Sequence, residues 1–379
     1  MPTRRRILFI SQDAERTGAP QELLLILKFI DREKFESVLL LGRDGPLRAE
    51  FDKYARVIRQ SLFPGPFRYA REAFYMPRRF LLLRRIAPDL VYCNTVLTSK
   101  WLWYARMAGI PAICHAHELG AVINRLSFLD RSILRSGNHH FISASEAVAR
   151  SLVGILGIPN SRVETIYESV DVSSWRRVPG TELRNRLFPQ GPDLIVGTVG
   201  RIAPMKGTDR FLLMAAAVRE RLHGACRAGF LWVGGHAPAE KKYYDDMLRL
   251  RAELGLEEDV VFAGPQPDPL PYYSLFDCFV LPSREDPFPL VTLEAMSLSL
   301  PVIVPDTGGS SEAIDERSGV RVHGTDPEGL ADAVCRVLTG RDEFRSMGSA
   351  GRERAERLFD IRKNILRIGT KLENSLKTG

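Results

Sequence analysis

Short β-branched or leucine-rich runs alternate with amphipathic stretches along almost the whole chain, and this alternation limits the possible folds more than any other feature. In the first half it predicts strands at Arg6–Ser11, Ser37–Leu41, Val57–Gln60, Leu90–Asn94, Ala112–His117, His140–Ala144 and Val163–Tyr167. Helical patterns fill the intervals, as in Gln21–Ile30 behind Pro20, a residue suited to a helix start. A second series begins at Leu194–Gly200 and continues through Phe230–Gly234, Val260–Ala263, Cys278–Leu281, Pro301–Val304 and Val320–Val322. Strands that alternate with helices build parallel βα units, so each series predicts a doubly wound sheet. Between them, Val172–Pro192 has little periodicity and reads as the crossing from one domain to the next. The last stretch, Ile361–Leu376, is helical and basic.

At 379 residues, 45% of them hydrophobic, the chain is long enough for two cores. No apolar run reaches the length of a membrane span. The start, MPTRRRILFISQDAER, resembles a signal peptide only briefly, because Gln12 and Asp13 end the apolar run; a first strand is the better reading. Five scattered cysteines with no CxxC argue for reduced, mostly buried thiols in a cytoplasmic protein. No His/Cys cluster and no Asp-x-Asp triplet suggests a metal. The net charge of +7 is uneven: residues 1–170 hold 25 Lys+Arg and 16 Asp+Glu, the remainder 28 and 30. No nucleic-acid-binding module accompanies this basic balance, so no nucleic-acid partner is expected.

The chemistry concentrates in Ser283–Ile314. Asp286 and Glu294 lie eight residues apart, and a helix-forming run begins between them. One acid therefore precedes a helix N-terminus and the other lies inside its first turns, with oriented backbone N–H groups between them that suit an anion. Two carboxylates around a phosphate cradle fit a ligand with hydroxyls at both ends and phosphates in the middle, the layout of a nucleotide sugar. Upstream, Gly200-Arg201-Ile-Ala-Pro-Met-Lys206-Gly207 links a strand to a helix expected over Thr208–Leu222. Two cations on such a loop suit a diphosphate.

Asp286-Pro-Phe288-Pro289-Leu-Val-Thr-Leu-Glu294-Ala295 resembles the acid-x7-acid motif of the family-4 retaining glycosyltransferases, Glu-x-Phe-Gly-x-x-x-x-Glu-Ala. Gly308-Gly309-Ser-Ser-Glu312 and the Gly200–Gly207 loop fit the same family, and matching motifs run over nearly the whole chain. The resemblance implies a GT-B fold, in which two Rossmann-like domains face each other across a cleft and the final helix crosses back to the first. Residues 1–171 with 360–379 would then bind the acceptor, and 172–359 the donor. It implies that Arg201 and Lys206 grip the donor diphosphate, Glu294 holds ribose hydroxyls, Asp286 contacts the transferred sugar, and the N–H groups of Leu290 and Val291 meet phosphate. Phe288, Gly18 in the Thr17–Pro20 turn and Gly264 after Val261 also fall at donor-binding positions. His117, at a strand end, would support charge at the anomeric carbon; His115 lies on the same sheet face and competes with it. Asp286 could alternatively cap the following helix.

The chain departs from the family pattern twice. Asp286 stands where Glu is commoner, and Pro289 replaces a glycine whose N–H often touches the sugar. The resulting expectation is a retaining, metal-independent enzyme that needs no cofactor beyond a UDP- or GDP-linked sugar. Its acceptor would be a glycan, a lipid-linked glycan or a small molecule. Two alternatives stay open: a non-catalytic glycosyltransferase-like partner subunit, and another GT-B enzyme such as a nucleotide-sugar epimerase. Ser143–Glu146 and Val170-Asp171 also fit family positions and read as structural. The run Phe67–Ile86, with Arg68, Arg71, Arg78, Arg79, Arg84 and Arg85 among aromatics and leucines, has two readings. One is peripheral contact with an anionic membrane; the other is a surface helix with one buried stripe, interrupted at Pro77.

Overall fold

The computed structural model describes residues 4–60, 68–222, 226–324 and 326–378, of which the side chains of 68–75, 341, 342 and 378 are left aside. The chain divides into two compact units, Met1–Ser169 with Ile361–Gly379, and Val170–Asp360.

The first unit is built on a seven-stranded sheet. Its strands are β1 (Arg5–Asp13), β2 (Phe35–Arg43), β3 (Arg56–Arg59), β4 (Leu90–Cys93), β5 (Ala112–Ala116), β6 (His140–Ser143) and β7 (Val163–Thr165), in the order β3-β2-β1-β4-β5-β6-β7. Every pairing is parallel. Helices cover both faces of such a sheet, which is why Ile7, Leu8, Phe9 and Ile10 form a continuous apolar run and are all fully buried. Local signals agree with the elements they bound. Ser145 caps helix Glu146–Leu156, its hydroxyl accepting from the Val148 N–H at 3.2 Å, and Gly157 closes that helix in the left-handed conformation. The final helix, Ile361–Thr378, belongs to this unit. Its stripe Ile361, Ile365, Ile368, Leu372 packs into the same core as Ile7, Phe9 and Leu23.

The second unit has six strands, β8 (Leu194–Val199), β9 (Ala228–Val233), β10 (Val260–Phe262), β11 (Cys278–Val280), β12 (Val302–Pro305) and β13 (Val320–Val322), in the order β10-β9-β8-β11-β12-β13, again all parallel. Both sheets place their first strand centrally and change direction beside it, so each has a topological switch point at the carboxyl ends of its strands. The stretch Val172–Pro192 lies within this unit and carries a short helix, Thr181–Leu187. Its Trp175 packs edge-on against Tyr273 at 5.3 Å. Cys93, Cys114 and Cys278 are buried. Among the described residues, no helix is long and apolar enough to cross a membrane.

The arginine-rich run forms one helix, Arg68–Ile86, that continues through Pro77; Phe67 and the side chains of Arg68 and Arg71 lie outside the described residues. Arg79 cannot face a membrane. It is 1% exposed, donates to the Tyr104 hydroxyl at 3.3 Å and lies 5.8 Å from the Trp101 ring. Phe80, Leu83 and Ile86 share its inward face, while Arg78, Leu81, Arg84 and Arg85 point outward. A buried stripe thus backs a cationic outer face, as the surface-helix reading expects.

Candidate active site

In the second unit, the loop after β8 and the loop after β11 come together. Lys206 sits at the end of a 3-10 turn, Pro204–Lys206, that leads into helix Thr208–Leu222. Its Nζ donates to Asp286 Oδ2 at 2.7 Å. Asp286 is 5% exposed and the Lys206 side chain 35%, so the cation remains partly accessible while its partner is buried. Gly207 explains why this loop can lie so close. Its φ is +71°, and a Cβ there would fall 2.0 Å from the Pro282 carbonyl oxygen. The Asp286 carbonyl accepts from the Gly309 N–H at 2.9 Å, which ties the Gly308-Gly309 turn to the same point. Asp286 does not cap the helix that follows. Helix Leu290–Ser297 starts behind Pro289 with no side-chain cap, and the carboxylate is turned to Lys206 instead. The first-turn N–H groups of Leu290 and Val291 have no acceptor within the helix.

Glu294 lies in that helix. The buried Tyr273 hydroxyl contacts its carboxylate at 2.7 Å. Burial pushes the Glu294 carboxyl up to about 7, with the Tyr273 hydrogen bond pulling the other way. Arg201 is half exposed and its Nε lies 3.3 Å from Glu240. Gly264 accepts from the Gly234 N–H at 2.9 Å, and Gly234 rests against Gly200 so tightly that a Cβ would meet the Gly200 oxygen at 2.0 Å. These glycines leave the carboxyl ends of β8, β9 and β10 open to close backbone approach.

In the first unit, His117 follows β5, 7% exposed. Its Nδ1 lies 2.9 Å from Glu168 Oε1. Burial lowers its pKa to about 4 despite the Glu118 carboxylate nearby, so the ring is neutral at physiological pH. The ring of His115, its competitor, lies 4.1 Å away, tilted by 42°, and is bound through Nδ1 to the Tyr92 hydroxyl at 2.7 Å. Gly18 opens helix Gly18–Phe29 in the same unit, with Glu168 near where its Cβ would be. Among the described residues, no group of three or more His, Cys, Asp or Glu could hold a metal ion.

Residues 193–340 match the family described as Glycosyl transferases group 1, and residues 23–174 match Glycosyltransferase Family 4. The chain belongs to glycosyltransferase family 4. This family-4 glycosyltransferase is 31% identical over 277 residues to a D-inositol 3-phosphate glycosyltransferase of Nocardia farcinica, covering 69% of this chain and 61% of that one. It is 30% identical over 266 residues to a GDP-mannose-dependent alpha-(1-6)-phosphatidylinositol monomannoside mannosyltransferase of Mycobacterium tuberculosis, covering 66% of each. The chain thus spans less than two thirds of the length of these relatives. Its fold is GT-B. The structure of Anabaena Alr3699/HepE in complex with UDP and glucose is similar at a TM-score of 0.85, covering 97% of this chain and 99% of that one at 21% identity.

Two features of this candidate site escape the motif reading. Arg284 pins the Lys206 loop: its N–H donates to the Met205 carbonyl at 2.9 Å, and its guanidinium holds the Pro204 carbonyl and the Asp209 carboxylate. Tyr273 sets the position of Glu294, and it lies too far along the chain from the acid pair to be found by spacing. Phe288 sits at a motif position, but its ring is buried against Phe359 at 5.4 Å. Ser143 bonds to Thr165 on the neighbouring strand, and Asp171 accepts from the Ser173 hydroxyl.

Proposed function

We propose that this family-4 glycosyltransferase moves a sugar from a UDP- or GDP-linked donor to an anionic acceptor, retaining the anomeric configuration and using no divalent ion. The observation that carries the reading is the junction of the Arg201–Lys206 loop with the acid-x7-acid loop through the Lys206–Asp286 contact. The pair sets a cation for diphosphate beside an acceptor for sugar hydroxyls. Lys206, Arg201 and the N–H groups of Leu290 and Val291 would stabilise charge growing on the leaving diphosphate. Glu294 would take the ribose. A panel of nucleotide sugars, read by thermal shift and by transfer, tests this. Stabilisation by one intact nucleotide sugar, with transfer from it, is expected. Stabilisation without transfer to any acceptor points to a non-catalytic partner subunit.

With side chains and helix N–H groups supplying the positive charge, transfer should persist in excess EDTA. Complete loss on chelation, restored by manganese, would overturn that part of the mechanism.

The anionic acceptor is supported by charge. The first unit holds 30 Lys+Arg against 17 Asp+Glu, the second 23 against 29. The two relatives above are named for phosphorylated inositols. Arg78, Arg84 and Arg85 share an outward helix face with Leu81, which is 51% exposed. That helix adjoins helix Lys100–Met107 through Phe80 and Trp103, and Lys100–Met107 packs on helix Phe128–Ser136, where Phe128 is 87% exposed. Each cation near an anionic surface contributes about 1 kcal/mol, so neutralising these three arginines should weaken binding to anionic vesicles by about 100-fold. Arg79→Gln should instead lower the melting temperature, because Arg79 is buried. Vesicle binding unaffected by the triple change or by salt would leave a soluble phosphorylated polyol as the acceptor class.

A further inference from the structure

The first unit holds a buried polar group that the transfer scheme leaves unexplained. Glu22, Asn94, His115, His117 and Glu168 are each less than 10% exposed. Glu22 Oε1, Asn94 Oδ1 and Nε2 of both histidines have no hydrogen-bond partner among the described residues, and buried polar atoms rarely lack one without a reason. Glu168 reaches this group because its segment is fixed from two sides. The Ser169 N–H donates to Glu22 Oε2 at 2.8 Å, from helix Gly18–Phe29. Asn364, from the final helix, donates to the Tyr167 carbonyl at 3.0 Å and to the Ser169 hydroxyl at 3.2 Å. Two long-range contacts thus set the backbone on either side of one carboxylate, which then meets His117 Nδ1 at 2.9 Å.

We infer that Glu168 is a positioning residue for His117: it accepts the Nδ1–H, fixes that tautomer and leaves the Nε2 lone pair as a hydrogen-bond acceptor for a substrate hydroxyl. A neutral imidazole carries one donor and one acceptor nitrogen, and a carboxylate can only accept. A ring held this way meets a hydroxyl without having to turn or change tautomer as substrate binds. The groups packed around it are Glu118, whose carboxylate accepts from the His117 backbone N–H at 2.9 Å, the tilted ring of His115, and Glu168. Glu22 stands behind Glu168, and burial first and the Glu168 charge second push its pKa well above the ordinary carboxylate value. The final helix acquires a role beyond core packing, since Asn364 supports the segment that carries Glu168.

The inference rests on the expectation that His117 meets the transferred sugar, and its test separates the two. In the full-length protein labelled with 15N-histidine, long-range 1H–15N spectra should show His117 as the Nδ1–H tautomer. Glu168→Gln keeps the shape but offers an amide that can donate to Nδ1. The Nε2–H form should then appear, with kcat falling at least tenfold and donor KM changing less. In a His117→Ala background, Glu168→Gln should add no further loss, because a residue acting through another has nothing left to position. A melting curve on each variant guards against misfolding. An Nε2–H tautomer in the wild type, or full additivity of the two substitutions, overturns the inference. A tautomer change with no effect on transfer overturns it too, and assigns the failure to the role of His117 and not to the contact.

Discussion

Replacing Lys206 with alanine should abolish transfer and weaken UDP or GDP binding by about 1.5–3 kcal/mol, the range of a hydrogen bond to a charged group, or roughly 10- to 100-fold in Kd. An exposed loop lysine would leave stability unchanged, but Lys206 is bound to Asp286, which is 5% exposed. Its loss strands a nearly buried carboxylate. Full burial of the pair would make this cost 3–5 kcal/mol; with 35% of the Lys206 side chain in solvent, about 1–2 kcal/mol is expected. In a unit of this size that lowers the melting temperature by a few degrees. Asp286→Asn removes the stranded charge, so the double variant should recover most of the lost stability while remaining inactive. A single substitution cannot separate these effects, because Asp286→Asn also releases Lys206 and so changes diphosphate binding. Wild-type Kd for UDP and GDP in Lys206→Ala would refute the diphosphate role. A melting temperature no lower in Lys206→Ala than in wild type would refute the structural role of the pair.

Much of the fold can be read in the sequence because parallel sheets buried on both faces need continuous apolar runs. Ile7–Ile10, Val38–Leu41 and Leu90–Cys93 are such runs, and each became a strand. The helix Thr208–Leu222 and the stripe of the final helix follow from their apolar period. What stayed hidden depends on side chains meeting across long sequence separations. Lys206 and Asp286 each stand out in the sequence as candidate ligand groups; that they bind each other does not, because no local pattern encodes a contact across 80 residues. Arg79 has the same chemistry as Arg78 beside it, yet it turns inward onto the aromatic pair Trp101 and Tyr104, which no local pattern encodes. Val172–Pro192 lacks period because it lies on the surface of the second unit in short pieces, yet it delivers Trp175 to the ring that positions Glu294.

Glu294 should make both stability and donor binding depend on pH, in opposite directions. Its carboxyl titrates at about 7 in the folded chain, against an ordinary value of 4.5. Between these values the folded state binds a proton that the unfolded state has released, so stability falls as pH rises from about 4.5 to 7 and then levels off. A shift of this size corresponds to about 3 kcal/mol as an upper bound, since the residue keeps some solvent access. Glu22 is raised as well and adds a slope of the same sign, so the comparison needed is wild type against Glu294→Gln, which should be flatter over that window. Binding runs the other way. A carboxylate accepts two ribose hydroxyls, whereas its protonated form has lost part of that capacity, so affinity should rise with pH and approach its limit above about 7. The ligand should be an intact nucleotide sugar, because the terminal phosphate of a free nucleoside diphosphate titrates near pH 6 and would add its own slope. Glu294→Gln should bind more weakly at pH 8 and lose most of the pH dependence. An affinity that is flat between pH 5.5 and 8 in the wild type, or that keeps its full slope in Glu294→Gln, would remove Glu294 from the donor site and leave its contact with Tyr273 as a feature of the core alone.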